Sequence, residues 1–322
     1  MRGSIWIAVA LLHVSLFAQI DTTNHRTQRI AVGDNVDLEV LDWGGTGRPL
    51  VLLTGLGDNA HVYDKFAPKL AGSYHVYGLT RRGFGKSSAP ASGYSADRLG
   101  DDVLAVIDEL KLDKPVLVGH SIGGEELSSV GSRHPEKVAG LVYLDAAYGY
   151  AYYDREVGDF YVDLADLHNK LGQLRSQPVG DLRLIQELLS TSLPAFEKAL
   201  RDQQKVILSF PPAMRSAQTQ ASPPAAWTAV LAGVRKFTDI RVPILAVFAV
   251  PHDIGPAFGN DRAGRAAFDA LDEVNTGAQA KAVEIGVPTA RVVTLPHADH
   301  YVFRSNEADV LREMNAFIAR LP

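Results

Sequence analysis

The residues best placed to do chemistry form the segment 119–123, Gly-His-Ser-Ile-Gly, which directly follows an apolar run at 116–118. This G-x-S-x-G pattern between a strand and a helix is typical of a nucleophile elbow. A serine hydroxyl is a weak nucleophile, so it must stand on a sharp turn where a histidine can take its proton. Glycines on either side remove side chains that would collide across that turn. An ordinary glycine-rich turn is the alternative, but the flanking strand and helix patterns favour Ser121 as a nucleophile.

Apolar runs of strand length alternate with helical patterns along the chain, and these elements must position Ser121. An uninterrupted apolar run is typical of a strand buried on both faces of a sheet. Strands that alternate with helices predict an α/β fold, whose mostly parallel, twisted sheet carries helices on both faces. The predicted strands are 36–40, 49–54, 75–80, 115–118, 138–145, 242–250 and 290–295; amphipathic helices are predicted over 101–110 and 307–321, and 21–28 is a polar stretch.

Residues 147–238 break this alternation, because they contain leucine-rich helical patches and two Pro-Pro pairs but no convincing strand. We interpret them as a helical cap inserted into a core formed by 29–146 and 239–322. The first part of the cap is rich in aromatic side chains, which either line a pocket for an apolar group or pack the cap onto the core. These are Tyr148, Tyr150, Tyr152, Tyr153, Phe160 and Tyr161.

Composition excludes several classes of function. The chain has 322 residues, with 32 Lys and Arg against 37 Asp and Glu and no basic run, so we expect no nucleic-acid partner. A hydrophobic content of 46% indicates a buried core rather than a disordered chain. The chain has no cysteine, which excludes disulfides, cysteine catalysis and thiolate metal sites.

The N-terminus has the pattern of a secretory signal peptide. Arg2 provides a positive charge, and the following apolar run, 5–18, is interrupted only by His13 and Ser15. This run is too short to span a bilayer comfortably, so we expect a signal peptide at 1–18 and export to the periplasm or the medium. An uncleaved membrane anchor is the alternative. After cleavage we expect no stable membrane insertion.

Five segments carry a further signal: 54–57 (Thr-Gly-Leu-Gly), 82–87 (Arg-Gly-Phe-Gly-Lys-Ser), the elbow, 250–253 (Val-Pro-His-Asp) and 297–300 (His-Ala-Asp-His). Together they resemble the α/β-hydrolase family, and within it the capped serine hydrolases of the esterase and lipase-like branch. The resemblance covers the chain from about residue 29 to its C-terminus, and family members arrange their triad in the order nucleophile, acid, histidine.

The resemblance implies the partners of the nucleophile. Imidazole is the side chain that can take a proton near neutral pH and return it to a leaving group. Family spacing after the last strand favours His300 as this base, with His297 as the alternative. The acid should follow a strand end and precede the histidine, which favours Asp253; Asp145 is the alternative and Asp261 a third candidate.

The family also implies an oxyanion hole formed by two backbone N–H groups. One is that of Ile122, directly after the nucleophile. The other should come from the turn at 55–57, where we expect Leu56 to donate, with Gly57 as the alternative. Thr54 stands where relatives often have histidine, but because the donors are backbone groups this difference should not abolish function.

The resemblance therefore implies a serine hydrolase that cleaves a carboxylic ester of small to medium apolar character through an acyl-enzyme on Ser121. Lactone, amide or peptide, and carbon–carbon bond cleavage on the same triad stay open. A serine at 121 argues against the carboxylate-nucleophile chemistry of haloalkane dehalogenases and epoxide hydrolases. A metal-dependent hydrolase using His297, Asp299 and His300, and a non-catalytic binding protein, are weaker alternatives. We expect a small-molecule substrate, no cofactor and no metal; the sequence does not indicate the oligomeric state.

Overall fold

The computed structural model of the protein describes residues 24–177, 180–211, 215 and 223–322, so the expected signal peptide lies outside the described residues. An eight-stranded sheet forms the centre of the fold, with the strand order β1-β2-β4-β3-β5-β6-β7-β8. The strands are β1 Arg26–Ala31, β2 Asp37–Gly44, β3 Pro49–Leu53, β4 His75–Leu79, β5 Val116–His120, β6 Gly140–Leu144, β7 Ile244–Ala249 and β8 Ala290–Leu295.

Most of the sheet is parallel, as predicted. Strand β1 pairs antiparallel with β2, and β2 pairs antiparallel with β4, while every other neighbouring pair is parallel. Parallel neighbours need crossover connections, which place helices on the faces of the sheet. The carboxyl ends of β3, β5, β6, β7 and β8 therefore lie along one edge, where the loops that carry the candidate site residues begin.

Helices connect these strands. They are α1 Ala67–Leu70, α2 Ala96–Glu109, α3 Gly123–Arg133, α4 Phe160–Ser176, α5 Leu182–Glu187, α6 Leu193–Ser209, α7 Ala225–Gly233, α8 Arg262–Gly286, α9 Val302–Ser305 and α10 Glu307–Ile318. A π-helical segment, Leu188–Ser192, joins α5 to α6, and single 3-10 turns occur at Ala60–Tyr63, Pro135–Lys137 and Gly255–Phe258. Within the described residues, no helix is both long and apolar enough to cross a membrane.

Alternate residues of the central strands enter two separate cores, one on each face of the sheet. Val51 and Leu53 of β3 pack into one core, and Leu50 and Leu52 of the same strand pack into the other. This follows from the period of two along a strand, which sends successive side chains to opposite faces. The continuous apolar runs therefore correctly predicted strands covered by helices on both sides.

Two elements differ from the sequence prediction. The polar stretch that ends at residue 28 overlaps β1, an edge strand in which only Ile30 is buried. Its backbone pairs with β2, so strand formation there depends on backbone hydrogen bonds and leaves little trace in the hydrophobic pattern. Helix α2 begins before residue 101, because the Ser95 side chain accepts a hydrogen bond from Arg98 N–H and caps its N-terminus.

The described residues between β6 and β7 contain helices α4 to α7 and no strand. These helices contact one another, and α4 packs against both α6 and α7. Helix α7 also reaches the core, since a Cβ added to Gly57 would lie 2.3 Å from the Trp227 ring. The limits 147–238 for a separate cap stay a prediction.

Candidate active site

Ser121 lies at the sharp turn between β5 and α3, and its backbone has a φ of 52°. This left-handed conformation is uncommon for a residue with a side chain and concentrates at functional turns. The turn is tight, because a Cβ added to Gly119 would lie 2.9 Å from the backbone of Gly123. The two glycines therefore have the role that the sequence pattern predicted for them.

His300 lies in the loop between β8 and α9 and is buried. Its Nδ1 donates to Asp145 Oδ2 at 2.7 Å. Its backbone carbonyl accepts a hydrogen bond from His120 Nε2 at 3.0 Å, which joins this loop to the elbow beside Ser121. Burial lowers the pKa of His120 well below its usual value, so the His120 imidazole is neutral. The alternative base, His297, is exposed on the same loop.

Asp145 directly follows β6 and is completely buried. Its Oδ1 accepts hydrogen bonds from Tyr148 Oη at 2.6 Å and from Ala249 N–H at 3.0 Å. Its Oδ2 accepts from His300 Nδ1 and from His252 Nε2, each at 2.7 Å. Four donors thus satisfy a carboxylate that burial alone would destabilise.

Asp253, the preferred acid in the sequence analysis, is not brought to His300. Its side chain is 51% exposed, and its Oδ1 accepts a hydrogen bond from Gly255 N–H and contacts Arg265. The expectation is therefore corrected: Asp145, the alternative acid, holds the contact with His300. Asp253 follows β7 at a turn that directs its carboxylate to solvent. The third candidate, Asp261, caps the N-terminus of α8.

His252, the residue before Asp253, lies beside Asp145 and His300. Its Nε2 donates to Asp145 Oδ2 at 2.7 Å, and its Nδ1 donates to Asp272 Oδ2 at 2.9 Å. Both carboxylates can only accept, so His252 must carry both ring protons and a positive charge. The Asp272 carboxylate also accepts from His252 N–H and from the Thr276 hydroxyl. A buried chain of charges therefore runs from Asp272 through His252 to Asp145.

For both Asp145 and His252, burial and the neighbouring charged groups shift the pKa in opposite directions. Burial would raise the pKa of Asp145, but His252 and His300 hold it well below its usual value. Burial would lower the pKa of His252, but the Asp145 and Asp272 carboxylates raise it. Sequence reasoning missed the roles of His252 and Asp272. The available signal was an acidic residue, Asp272, on the same face of α8 as the buried Phe268.

The predicted oxyanion donors lie in two buried segments. Leu56 and Ile122 are both buried, and among the described residues neither N–H donates to another backbone carbonyl. Ile122 stands at the N-terminus of α3, where N–H groups are free to bind an anion. A Cβ added to Gly55 would lie 2.9 Å from the His120 ring, so the turn at 55–57 lies against the elbow.

Arg81 fixes the turn that contains Leu56, which is a second feature that sequence reasoning missed. The buried Arg81 guanidinium donates to the carbonyls of Thr54 and Gly55 at 2.8 and 3.3 Å. It also forms a two-point ion pair with Glu126 of α3, with contacts of 2.6 and 3.1 Å. Because Arg81 holds both carbonyls by hydrogen bonds, the orientation of the following N–H group, that of Leu56, is restricted. Arg81 and Glu126 are positioning residues for this turn.

The aromatic cluster after β6 has mixed roles. Tyr148 donates to Asp145, and Tyr153 donates to Asp163 of α4, so their hydroxyls support the structure. Tyr150 is buried and lies close enough to Ser121 for their hydroxyls to interact electrostatically. Tyr150 therefore lies beside the candidate nucleophile.

Asp145, His252 and His300 offer three atoms of the kind that bind metals, all within 4.8 Å of one another. In the structure these atoms are joined through the short hydrogen bonds described above, so protons hold the three groups together. The metal-hydrolase alternative instead required His297, Asp299 and His300. Among the described residues these three do not form a cluster of metal-ligating atoms, and His297 is exposed whereas His300 is buried.

Comparison with known proteins decides the family. A family model described as the alpha/beta hydrolase fold matches residues 48–303, which is most of the chain. The protein belongs to the α/β-hydrolase fold family. The fold class expected from the sequence is thereby confirmed, and the family implies a small-molecule substrate.

Individual α/β hydrolases match with moderate identity and varied activities. A provisionally named non-heme haloperoxidase of Mycobacterium phage D29 is 33% identical over 159 residues, which span 49% of this chain and 56% of that protein. The 2-(acetamidomethylene)succinate hydrolase of Mesorhizobium japonicum is 24% identical over 313 residues, covering 95% of this chain and 99% of that one. The structure of an esterase from Exiguobacterium antarcticum matches with a TM-score of 0.60 and 18% identity, over 91% of this chain and 100% of the other. These likenesses agree on the fold and differ in chemistry.

Proposed function

We propose that this α/β hydrolase is a serine hydrolase that cleaves carboxylic esters of small to medium apolar character. The observation that carries the proposal is the buried hydrogen bond between Asp145 and His300. The loop that contains His300 also contacts the Ser121 elbow, because the His300 carbonyl accepts a hydrogen bond from His120. Family membership alone leaves the bond type open, because the fold hosts many reactions. Leu56 and Ile122, whose N–H groups are the predicted oxyanion donors, and Tyr150 beside Ser121 all have buried side chains, which favours an apolar ester over a charged one.

The first half-reaction forms an acyl-enzyme. His300 Nδ1 is bonded to Asp145, so Nε2 is the nitrogen that takes the Ser121 proton. Ser121 Oγ attacks the ester carbonyl carbon, and the carbonyl oxygen becomes an oxyanion that Leu56 N–H and Ile122 N–H stabilise. The carbon–oxygen bond to the alcohol then breaks, and His300 gives its proton to the departing alkoxide.

The second half-reaction hydrolyses the acyl-enzyme. His300 takes a proton from water, whose oxygen attacks the acyl carbon. The resulting oxyanion collapses, the bond to Ser121 Oγ breaks, and the proton returns from His300 to the serine. The products are one carboxylic acid and one alcohol, and the enzyme regains its starting protonation state. Throughout, Asp145 keeps the His300 ring in one orientation and stabilises its protonated form.

The test combines covalent labelling with a substrate panel. We expect a fluorophosphonate probe to add once per chain, with the mass increase on the peptide that contains Ser121. We expect p-nitrophenyl esters with short acyl chains to be hydrolysed, with kcat/KM falling as the acyl chain is lengthened or given a charge. Labelling without ester turnover, but with turnover of a lactone or an amide, would reject the ester assignment and retain the serine mechanism. Absence of labelling on the folded protein would reject both.

The charge on His252 leads to a separate prediction about pH. In His252→Gln the amide can still donate to Asp145, but the buried positive charge 6.4 Å from the His300 ring is lost. The buried network then carries one positive charge less, so the acid limb of kcat/KM against pH should move about one unit to higher pH. Asp272→Asn should move it in the same direction but less far, because His252 then loses one of the two carboxylates that favour its positive charge.

The control for this prediction is His297→Gln, which replaces an exposed histidine of the same loop and should leave the profile in place. Other groups around His252, namely Tyr148 and the Arg265 guanidinium near its carbonyl, are unchanged in all three variants. A purely structural role for His252 would lower the rate at every pH without moving the limb. An acid limb that stays in place or moves to lower pH in both variants would contradict the assignment of charge to His252.

A further inference from the structure

A second cluster of metal-binding side chains lies outside the catalytic network. His25 directly precedes β1, while His61 lies within the 3-10 turn after β3 and Asp64 ends that turn. The His61 Nδ1 atom is 3.1 Å from Asp64 Oδ2, and the His25 Nδ1 atom is 4.0 Å from Asp64 Oδ1. One ligand atom from each residue lies within 4.8 Å of the others. Two imidazoles and one carboxylate thus converge from chain segments that are distant in sequence.

Asp64 provides a second, independent observation. Its Oδ1 is buried and makes no hydrogen bond among the described residues. A buried carboxylate oxygen is costly unless a donor or a cation compensates it. The His25 Nδ1 atom is 4.0 Å from this oxygen, which is too long for a hydrogen bond. The oxygen is therefore positioned for a partner that would sit between it and His25.

A metal ion fits that gap. Tetrahedral zinc has ligand bonds of about 2.0–2.2 Å, which places neighbouring ligand atoms about 3.3–3.6 Å apart. The distance from His61 Nδ1 to Asp64 Oδ2, 3.1 Å, is shorter than that separation, and the distance from His25 Nδ1 to Asp64 Oδ1, 4.0 Å, is longer. Small rotations of the side chains would equalise them. The His61 side chain is 20% exposed, which leaves access for a water molecule as the fourth ligand.

The local structure holds the ligands in place. Asn59 Oδ1 accepts a hydrogen bond from His61 N–H, and Asp64 N–H donates to the His61 carbonyl, so this pair has a fixed spacing. The His25 ring packs edge-on against Trp43 of β2, with 5.8 Å between ring centroids. Preorganised ligands reduce the entropy lost when an ion binds.

We propose that His25, His61 and Asp64 form a binding site for one Zn²⁺ ion. Two imidazoles and a carboxylate suit a borderline ion of this kind better than Mg²⁺ or Ca²⁺, which prefer oxygen ligands. The ion would link the chain before β1, which among the described strands pairs with β2 alone, to the turn after β3. Its role is to stabilise the fold, so it does not depend on the proposed hydrolytic reaction.

The experiment uses the full chain without a histidine tag, stripped of metal by a chelator that is then removed. We expect one equivalent of Co²⁺ to bind with the visible absorption of a tetrahedral site, and Zn²⁺ to displace it. Saturating Zn²⁺ should raise the Tm by several degrees, since an ion that binds only the folded state stabilises it. His61→Ala and Asp64→Asn should each weaken binding at least 100-fold and remove the Tm shift.

The matched control is His75→Ala. His75 Nε2 lies 2.8 Å from Asp42, so it forms a half-buried His–Asp pair like that of His61, but it belongs to no three-ligand cluster among the described residues. This variant should bind Co²⁺ as the unmodified protein does. If His61→Ala fails to fold, His25→Gln replaces it, because His25 precedes the first strand. Absence of Co²⁺ binding, or binding that survives His25→Gln and His61→Ala but is lost in His300→Gln, would overturn the proposal.

Discussion

Replacing Ser121 by alanine is expected to lower kcat/KM for a short p-nitrophenyl ester by about 10⁴- to 10⁶-fold. The variant retains the oxyanion donors and the His300–Asp145 pair but has no oxygen to form the acyl-enzyme. The loss should therefore appear in kcat, with little change in KM. Steady-state kinetics and a fluorophosphonate probe measure it, and the probe should no longer add to the chain. The strained φ of 52° stays in place, so alanine should fold with similar stability.

Ser132→Ala is the matched control for this substitution. Ser132 lies on the helix that follows the elbow, and its Oγ is buried without a hydrogen-bond partner among the described residues. Removing that hydroxyl should change kcat/KM less than threefold. Equal rates for Ser121→Ala and the unmodified protein would reject a serine nucleophile. A large loss in Ser132→Ala would mean that the assay responds to damage in α3 rather than to the missing nucleophile.

The second large effect is expected from Asp145→Asn, which should lower kcat by about 10⁴-fold. Asparagine has nearly the same shape, but its amide nitrogen cannot accept a hydrogen bond. Two of the four donors that surround Asp145 therefore lose their acceptor. The His300 ring then loses the carboxylate that fixes its tautomer and stabilises its protonated form. Kinetics measured across pH, together with the Tm of each variant, test this.

Asp253→Asn separates the two candidate acids. The Asp253 side chain is half exposed, and asparagine can still accept the hydrogen bond from Gly255 N–H. We expect kcat to change less than threefold. The opposite outcome, with activity retained in Asp145→Asn and lost in Asp253→Asn, would restore Asp253, which its position after a strand and before the histidine had favoured. A loss of folding in Asp145→Asn is distinguished by its Tm, since the buried His252 charge would then lack one of its two partners.

The sheet and the elbow could be predicted because their signals are local. Apolar runs of strand length need only the period of two and a buried environment, and the central strands lie where these runs predicted them. The sequence did not predict β1, because a polar edge strand forms through backbone hydrogen bonds to its neighbour and leaves little apolar pattern. The roles of His252, Asp272 and Arg81 were missed because each depends on a partner on another element.

The sequence itself was enough to predict Ser121 as the candidate nucleophile. The elbow is a contact between neighbouring residues, and glycine is required at 119 because a Cβ added there would lie 2.9 Å from the backbone of Gly123. The choice of acid was decided only by the tertiary structure. Asp145 and His300 are 155 residues apart, and they meet because β6, β7 and β8 lie side by side with their carboxyl ends at one edge. Asp145 and Asp253 each follow a strand of that sheet, so local pattern cannot separate them. Only the folded backbone turns the carboxylate of Asp145 inward to the histidine and that of Asp253 outward to water.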